Sequence, residues 1–433
     1  MSGYDREKIS SLVRADSVHH SVYTDPDIFS LEQSRIFART WNYIGHESQV
    51  NAPGDYITTT LAGKPVIMIR HSDETIHIMQ NRCPHRGVKI LGGDCGQAKM
   101  LRCPYHGWAF RSDGTLLSIP GQEDYADSSV APGNPAFNMS VVRSANYRGF
   151  VFATFATESP ELTTFLGDAT RVLDNMVDRS PTKKLEITGG CFRAIHRNNW
   201  KIYLENLHDG VHPLFVHQSS IAASQSQLKN ADKGTSSKST FPLQVVQGNN
   251  QPLTAMEALQ VNCYAYGHSD MRGFRDPRDT DDDITHLYIN EMDKQLGKEA
   301  ATKILNLNLH NSCFYPSASA HPSFLQMRKI IPIAPDRTIV EAWVLRWGGV
   351  PKEVHRRNIA YTNTVHSPAS IIKIDDLEAY SRVQEGVDAD ADGWVSQHRR
   401  FHSGQASEQN DSALSEHFIR NQYRSWLNYM CAS

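Results

Sequence analysis

Cys83-Pro-His85-Arg-Gly87 and Cys103-Pro-Tyr-His106-Gly107-Trp108 each set one thiol and one imidazole in a short turn, with seventeen residues between His85 and Cys103. Each turn thus offers one sulfur and one nitrogen donor. A structural zinc finger would pair Cys with Cys in one turn and His with His, three to five apart, in the other, and that spacing is absent. Two buried cysteines and two satisfied histidines would be the bland reading, but two matched loops with a glycine following each histidine argue against coincidence. Cys95, in Gly92-Gly-Asp-Cys-Gly, has no histidine two residues later and reads as a loop thiol. Outward from the loops the texture is that of strands: Asp55-Tyr-Ile-Thr-Thr-Thr, Lys64-Pro-Val-Ile-Met-Ile-Arg, Thr75-Ile-His-Ile-Met-Gln and Gly149-Phe-Val-Phe-Ala-Thr-Phe. Ser112-Asp113-Gly114 predicts a hairpin turn. Residues from about 43 to 155 therefore read as a small β domain.

Two Cys on one iron and two His on the other is the ligand set of a Rieske [2Fe–2S] cluster, which two such loops would clamp from both sides. Imidazole in place of thiolate raises the potential, so the cluster accepts electrons readily. The run from Cys83 to Phe110 is similar to the Rieske domain of the aromatic-ring-hydroxylating oxygenases, in their large (alpha) subunit. The similarity extends upstream through Ile36-Phe-Ala-Arg-Thr-Trp-Asn-Tyr-Ile-Gly-His46 and Gly54-Asp55.

A cluster domain needs only about a quarter of a chain of 433 residues, and a second constellation lies in Asn199-Trp-Lys-Ile-Tyr-Leu-Glu205-Asn206-Leu-His208-Asp209-Gly-Val-His212-Pro-Leu-Phe-Val-His217. His212 and His217, five apart, fall about half a revolution out of phase on a straight helix. Gly210 weakens a helix and Pro213 disfavours the helical conformation at His212, so a break there would swing both imidazoles to one point. Two histidines and one carboxylate on a single face, with open positions, is the ligand set of non-haem Fe(II) oxygenases. The carboxylate could come from Asp375-Asp376 or from Asp388-Ala-Asp390-Ala-Asp392. The latter resembles an EF-hand opening, yet Arg399 stands where the bidentate Glu would be, which disfavours calcium.

The resemblance implies Asp376 as the third iron ligand beside His212 and His217. It also carries Asn199-Trp200-Lys201, Glu205-Asn206 and Asp209 onto the family's mononuclear-iron segment. Asp209 and Asn206 are implied as catalytic residues. Asp209 would accept N–H from His212 and, across the interface of a trimer, from His106 of the partner subunit. The family commonly has Tyr before the first iron histidine, where this chain has Val211; His208 is outside the pattern and reads as a surface or outer-shell histidine. His398 and His402 read as part of a solvated face.

Charge and composition agree with such an enzyme. Lys plus Arg (44) nearly balances Asp plus Glu (47), which offers no broad basic face for nucleic acid or anionic lipid. No run of eighteen apolar residues predicts a membrane span, the first residues carry no apolar leader, and seven scattered cysteines do not read as a disulfide framework, so a cytoplasmic setting is expected. Pro26 opens an expected helix over 27–39 that ends near Trp41; helix-like stretches at 161–178, 199–212, 292–305 and 354–385 mix with strands such as 340–347. The polar stretches 229–239 and 275–283 read as surface loops.

The fold class expected is α+β: a β-rich Rieske [2Fe–2S] domain (43–155) inserted in a catalytic domain of helix-grip type, with a curved antiparallel sheet and helices, made of 1–42 and 156–433. Cluster ligands would be Cys83, His85, Cys103 and His106. The implied enzyme takes electrons from NAD(P)H through a separate reductase, with or without a ferredoxin. It activates O2 at a mononuclear Fe(II) and forms a cis-dihydrodiol, as a homotrimer with or without a small beta subunit. The motifs resemble the benzoate, anthranilate, salicylate and terephthalate branch, so an aromatic carboxylate is the expected substrate. Arg328 would then be its buried cation, unless that arginine makes a structural ion pair. Monohydroxylation or demethylation at the same irons, or service as an electron carrier, are the alternatives.

Overall fold

A computed structural model describes residues 3–230, 237–274, 277–279, 282–403 and 410–432. They divide into two compact units, residues 37–162 and residues 1–36 with 163–433.

The 37–162 unit is built on a seven-stranded antiparallel sheet in the order Asn42–His46, Phe150–Thr154, Val141–Tyr147, Ile76–Gln80, Lys64–Arg70, Asp55–Leu61, Cys95–Gln97. The apolar run in Lys64–Arg70 is buried on both faces, because successive side chains point to opposite sides. Ile67 and Ile69 join Met79, Leu101, Trp108 and Phe110 around Cys83 and Cys103. Val66 and Met68 join Ile44, Ile78, Val142 and Val151 in a second core. Each such side chain contributes about 1.5–3 kcal/mol of burial. The Ser112–Gly114 turn joins Ala109–Phe110 to Leu116–Ser118: Asp113 Oδ1 accepts from Thr115 N–H (2.8 Å), and Gly114 takes a φ of 90°.

The other unit carries an eight-stranded antiparallel sheet, ordered Leu185–His196, Arg337–Trp347, Gln326–Ala334, Ala318–His321, Leu307–Phe314, Ser269–Phe274, Gln260–Cys263, Asn410–Ser412. Register shifts at Ile187/Cys191, Asp270/Arg272 and Pro332/Ala334 are bulges that curl it. The N-terminal residues belong here through Glu32, whose fully buried carboxylate accepts from Trp200 Nε1 (2.8 Å), Lys201 Nζ (2.5 Å) and Trp426 Nε1 (2.7 Å). Asn199 caps the Trp200–Asn206 helix through Lys201 N–H and donates to the Tyr23 and Pro335 carbonyls. Asn199-Trp200-Lys201 is thus an architectural joint.

Three expectations need correction. The helix expected over 27–39 is Pro26–Glu32, capped by Asp25, and continues as a π-helical turn over Gln33–Phe37. Helices Gln218–Asn230 and Ser237–Gln247 reach into the stretch 229–239 expected to be a loop, of which 231–236 lie outside the described residues. In 275–283, residues 275–276 and 280–281 lie outside them, while Asp282 caps a helix that starts at Asp283. Among the described residues no helix is long and apolar enough to cross a membrane.

Candidate metal centres

The two loops of the 37–162 unit are copies of one hydrogen-bonded turn. Cys83 N–H donates to the Val88 carbonyl (2.8 Å) and Gly87 N–H to the Cys83 carbonyl (2.9 Å). Cys103 N–H donates to the Trp108 carbonyl (2.8 Å) and Gly107 N–H to the Cys103 carbonyl (3.1 Å). Closing the turn requires φ of 78° and 73° at Gly87 and Gly107, the left-handed region that a Cβ penalises. The cysteines are buried, His85 is half-buried and His106 exposed. The two imidazoles stand 4.7 Å apart between ring centroids, and His85 stacks on Trp108 at 4.8 Å. Burial and the neighbouring Cys103 thiol hold the Cys83 thiol above its usual value, while burial and His106 lower His85. Two thiols inside and two imidazoles outside, on mirrored turns, are a donor set that fits an S2N2 cluster.

In the larger unit the Trp200–Asn206 helix stops before Leu207, and a second helix, His212–Val216, starts after a break over 207–211. The break therefore falls ahead of His212 rather than at it. Pro213 sits in the new helix's first turn, where a missing N–H costs nothing. Asp209 makes the turn: its Oδ1 accepts from the backbone N–H of Val211 (2.7 Å) and His212 (3.3 Å). His217 caps the short helix at its other end. The imidazoles then converge on Asp376, on the helix Lys373–Asp388: His212 Nε2 lies 3.8 Å and His217 Nε2 3.4 Å from Asp376 Oδ1. One donor atom from each of the three lies within 4.8 Å of the others. Asp376 Oδ1 is buried without a hydrogen-bond partner among the described residues, and a cation between the three groups would supply one. Burial lowers the His212 pKa, keeping its imidazole in the neutral form a metal needs.

Several side chains brace this cluster. Asp375 Oδ2 accepts from His217 Nδ1 (3.2 Å) and Ser220 Oγ (3.0 Å), which leaves His217 Nε2 bare of hydrogen. Asn206 faces Tyr380, whose hydroxyl donates to Asn206 Oδ1 (2.8 Å). Lys373 Nζ lies 3.4 Å from the Tyr380 hydroxyl and 3.6 Å from Asp376 Oδ2. Glu205 is buried between the Tyr23 and Tyr423 hydroxyls, and burial raises its carboxyl to about 7.

Some of the expected contacts differ. Asp209 accepts the backbone N–H of His212, not its ring; its Oδ2 pairs with Arg399 (3.2 Å), and His212 Nδ1 is buried without a partner. His208 is no surface residue: it is fully buried, bonded through Nε2 to Ser269 Oγ (3.0 Å), with its pKa lowered to about 3 by burial. His398 has an acidic neighbour, Asp16 Oδ2 at 3.2 Å. Arg328 is buried but makes no ion pair among the described residues; it donates to Asn311 Oδ1 (2.6 Å) and the Ala320 carbonyl (3.3 Å). Sequence reading missed Arg399, Lys373 and the bracing role of Asp375. Spacing could have found Lys373, three residues before Asp376 on one helix face; nothing local marks Arg399.

Residues 40–134 match the Rieske [2Fe–2S] domain family, and residues 187–431 match the ring hydroxylating alpha subunit (catalytic domain) family. The chain is 29% identical over 391 residues to the anthranilate 1,2-dioxygenase large subunit of Acinetobacter baylyi, covering 89% of this chain and 80% of that one. It is 29% identical over 387 residues to the toluate 1,2-dioxygenase subunit alpha of Pseudomonas putida, covering 87% and 82%. Among solved structures it resembles naphthalene 1,2-dioxygenase with indole bound, at a TM-score of 0.80 and 26% identity over 98% of this chain and 94% of that one. A quaternary ammonium Rieske monooxygenase, at 19% identity and a TM-score of 0.68, shares the fold.

Proposed function

The chain belongs to the ring hydroxylating alpha subunit family, and from that premise we propose that it cis-dihydroxylates the ring of an aromatic carboxylate with O2 and electrons that originate in NAD(P)H. The observation that carries the reading is the convergence of His212 Nε2 and His217 Nε2 on the unpartnered Asp376 Oδ1, in a chain that also bears the mirrored Cys-His loops. Cys83, His85, Cys103 and His106 would hold the [2Fe–2S] cluster; His212, His217 and Asp376 would hold Fe(II). When bound, an iron with three protein ligands and open positions supplies O2 activation.

The protein's own part is to fix and shield those groups. Asp375 holds His217 in the tautomer that presents Nε2, burial keeps His212 neutral, and Asp209 pins the backbone from which His212 projects. Asp209 is further assigned the link to His106 of the partner subunit in a homotrimer, with or without a small beta subunit, supplied by a reductase with or without a ferredoxin.

An anaerobic single turnover tests the reading. The chemically reduced, iron-loaded protein meets 18O2 and a panel of aromatic acids and unsubstituted arenes, and products are read by mass spectrometry. The expected result is a doubly labelled diol from a protein with about three Fe and two sulfides per chain. A singly labelled product would replace dioxygenation with monohydroxylation or demethylation, and about two Fe per chain would reduce the protein to an electron carrier. Asp375→Asn is expected to weaken iron retention about 10–100-fold with the cluster's sulfide content unchanged, as loss of an outer-shell partner does. Iron retention equal to wild type after a chelator challenge would remove Asp375 from the site.

A further inference from the structure

Beside the metal triad lies a cavity whose walls include Phe192, Tyr203, His196, His366, Arg328 and Lys373, and none of its lining residues is acidic. Both cations are buried, at 3% and 7% exposure. Arg328 makes two hydrogen bonds to neutral oxygens, while its Nε has no acceptor among the described residues. The Lys373 ammonium has three N–H groups but, among the described residues, approaches polar atoms only at 3.4 Å (Tyr380 hydroxyl) and 3.6 Å (Asp376 Oδ2), the latter beyond hydrogen-bond reach. The Tyr203 and Tyr380 rings, at 5.2 and 4.8 Å from Nζ, complete its surroundings. Lys373 has Asp376 as its nearest carboxylate, Arg328 pairs with none among the described residues, and iron binding would commit the Asp376 charge to the metal. The histidines add no charge of either sign, since burial and the neighbouring Lys373 hold His196 at about 2, and burial with Arg328 holds His366 well below its usual value. Buried cations with unspent donors call for an anion.

We propose that Lys373 and Arg328 form a two-cation clamp for the carboxylate of an aromatic substrate, with Lys373 shared between that carboxylate and Asp376. Lys373, 3.6 Å from Asp376 Oδ2, is thus a specificity-determining residue, and substrate charge is felt at an iron ligand through one side chain. The inference rests on the dioxygenase reading for the identity of the reaction; the clamp itself is a binding property and stands or falls without turnover.

The test is calorimetric binding of benzoate, anthranilate, salicylate and terephthalate, each against its uncharged amide, to iron-loaded and iron-depleted protein. The expected result is at least one acid bound in preference to its amide. Lys373→Met and Arg328→Met should each weaken that acid by about tenfold to hundredfold, leave the amide unchanged, and be relieved in part by Lys373→Arg. Equal affinity for every acid and its amide would overturn the clamp, even if an uncharged arene yields a doubly labelled diol and so upholds dioxygenation. Loss of preference in Arg328→Met but not in Lys373→Met, with or without iron, would overturn the part assigned to Lys373. Acid preference intact in both variants alongside failed dioxygenation would overturn both proposals together.

Discussion

Replacing His212 with alanine is expected to remove ring dioxygenation and the mononuclear iron while leaving the Rieske absorbance unchanged. The size of the effect follows from what the imidazole does. Its Nε2 faces Asp376 Oδ1, and its Nδ1 has no hydrogen-bond partner, so nothing in the surrounding fold takes over its place. Removing an outer-shell partner of a metal already costs about 10–100-fold, and losing one of only three protein ligands costs more, so activity should fall by at least about a thousandfold. Folding should survive, because the side chain is partly exposed. The check is paired iron and sulfide analysis with the visible spectrum: iron falling by one per chain at constant sulfide is the expected pattern. Wild-type iron content in His212→Ala would mean that another residue holds the metal.

Asp209 separates two roles that one substitution would confuse. Its Oδ1 makes the turn that starts the His212–Val216 helix, and its Oδ2 pairs with Arg399. Asp209→Asn keeps an acceptor for the Val211 and His212 N–H groups but removes the charge. It should retain both metals and lose about a hundredfold or more in turnover. Asp209→Ala removes the acceptor as well, at about 0.5–1.5 kcal/mol for each turn hydrogen bond lost, and among the described residues leaves Arg399 only Glu416, at 3.9 Å, as an acidic partner. Iron retention should therefore fall in the alanine variant alone. Multiple-turnover assays with a reductase, beside single turnover of pre-reduced protein, make the distinction. Normal multiple turnover in Asp209→Asn would withdraw the aspartate from the electron path.

The sequence disclosed most where ligands are close in the chain. Cys83 to Trp108 is one local turn used twice, and its glycines mark the backbone positions that L side chains resist. The strand Lys64–Arg70 was equally plain, an apolar run too short for a helix. At the second centre the residue types were legible but not their arrangement. Pro213 suggested a break at His212, whereas an aspartate side chain four residues upstream of Pro213 sets it. Asp376 stands out from Asp375 in the sequence through the family resemblance alone, because only the tertiary structure turns one toward the donor triad and the other toward His217 Nδ1. Lys373 and Arg399 stayed hidden because charged residues are ordinarily solvated. The helices Gln218–Asn230 and Ser237–Gln247 escaped because their serines and glutamines give little apolar periodicity.

The discontinuous build of the larger unit sets a timetable for synthesis. Ser17–His19 pairs with Trp394–Ser396, and Glu32 waits for the indole of Trp426. At about 5–20 residues per second, roughly 20–75 s separate the two strands' emergence. The 37–162 unit is contiguous and complete long before then. Its four sulfur and nitrogen donors all precede Trp108, while the other centre lacks a carboxylate until Asp376 is made. The two proposed ligand sets are thereby made in order: all four cluster donors are translated before the carboxylate that would complete the iron site, so a cluster could be received while the second site still lacks a ligand.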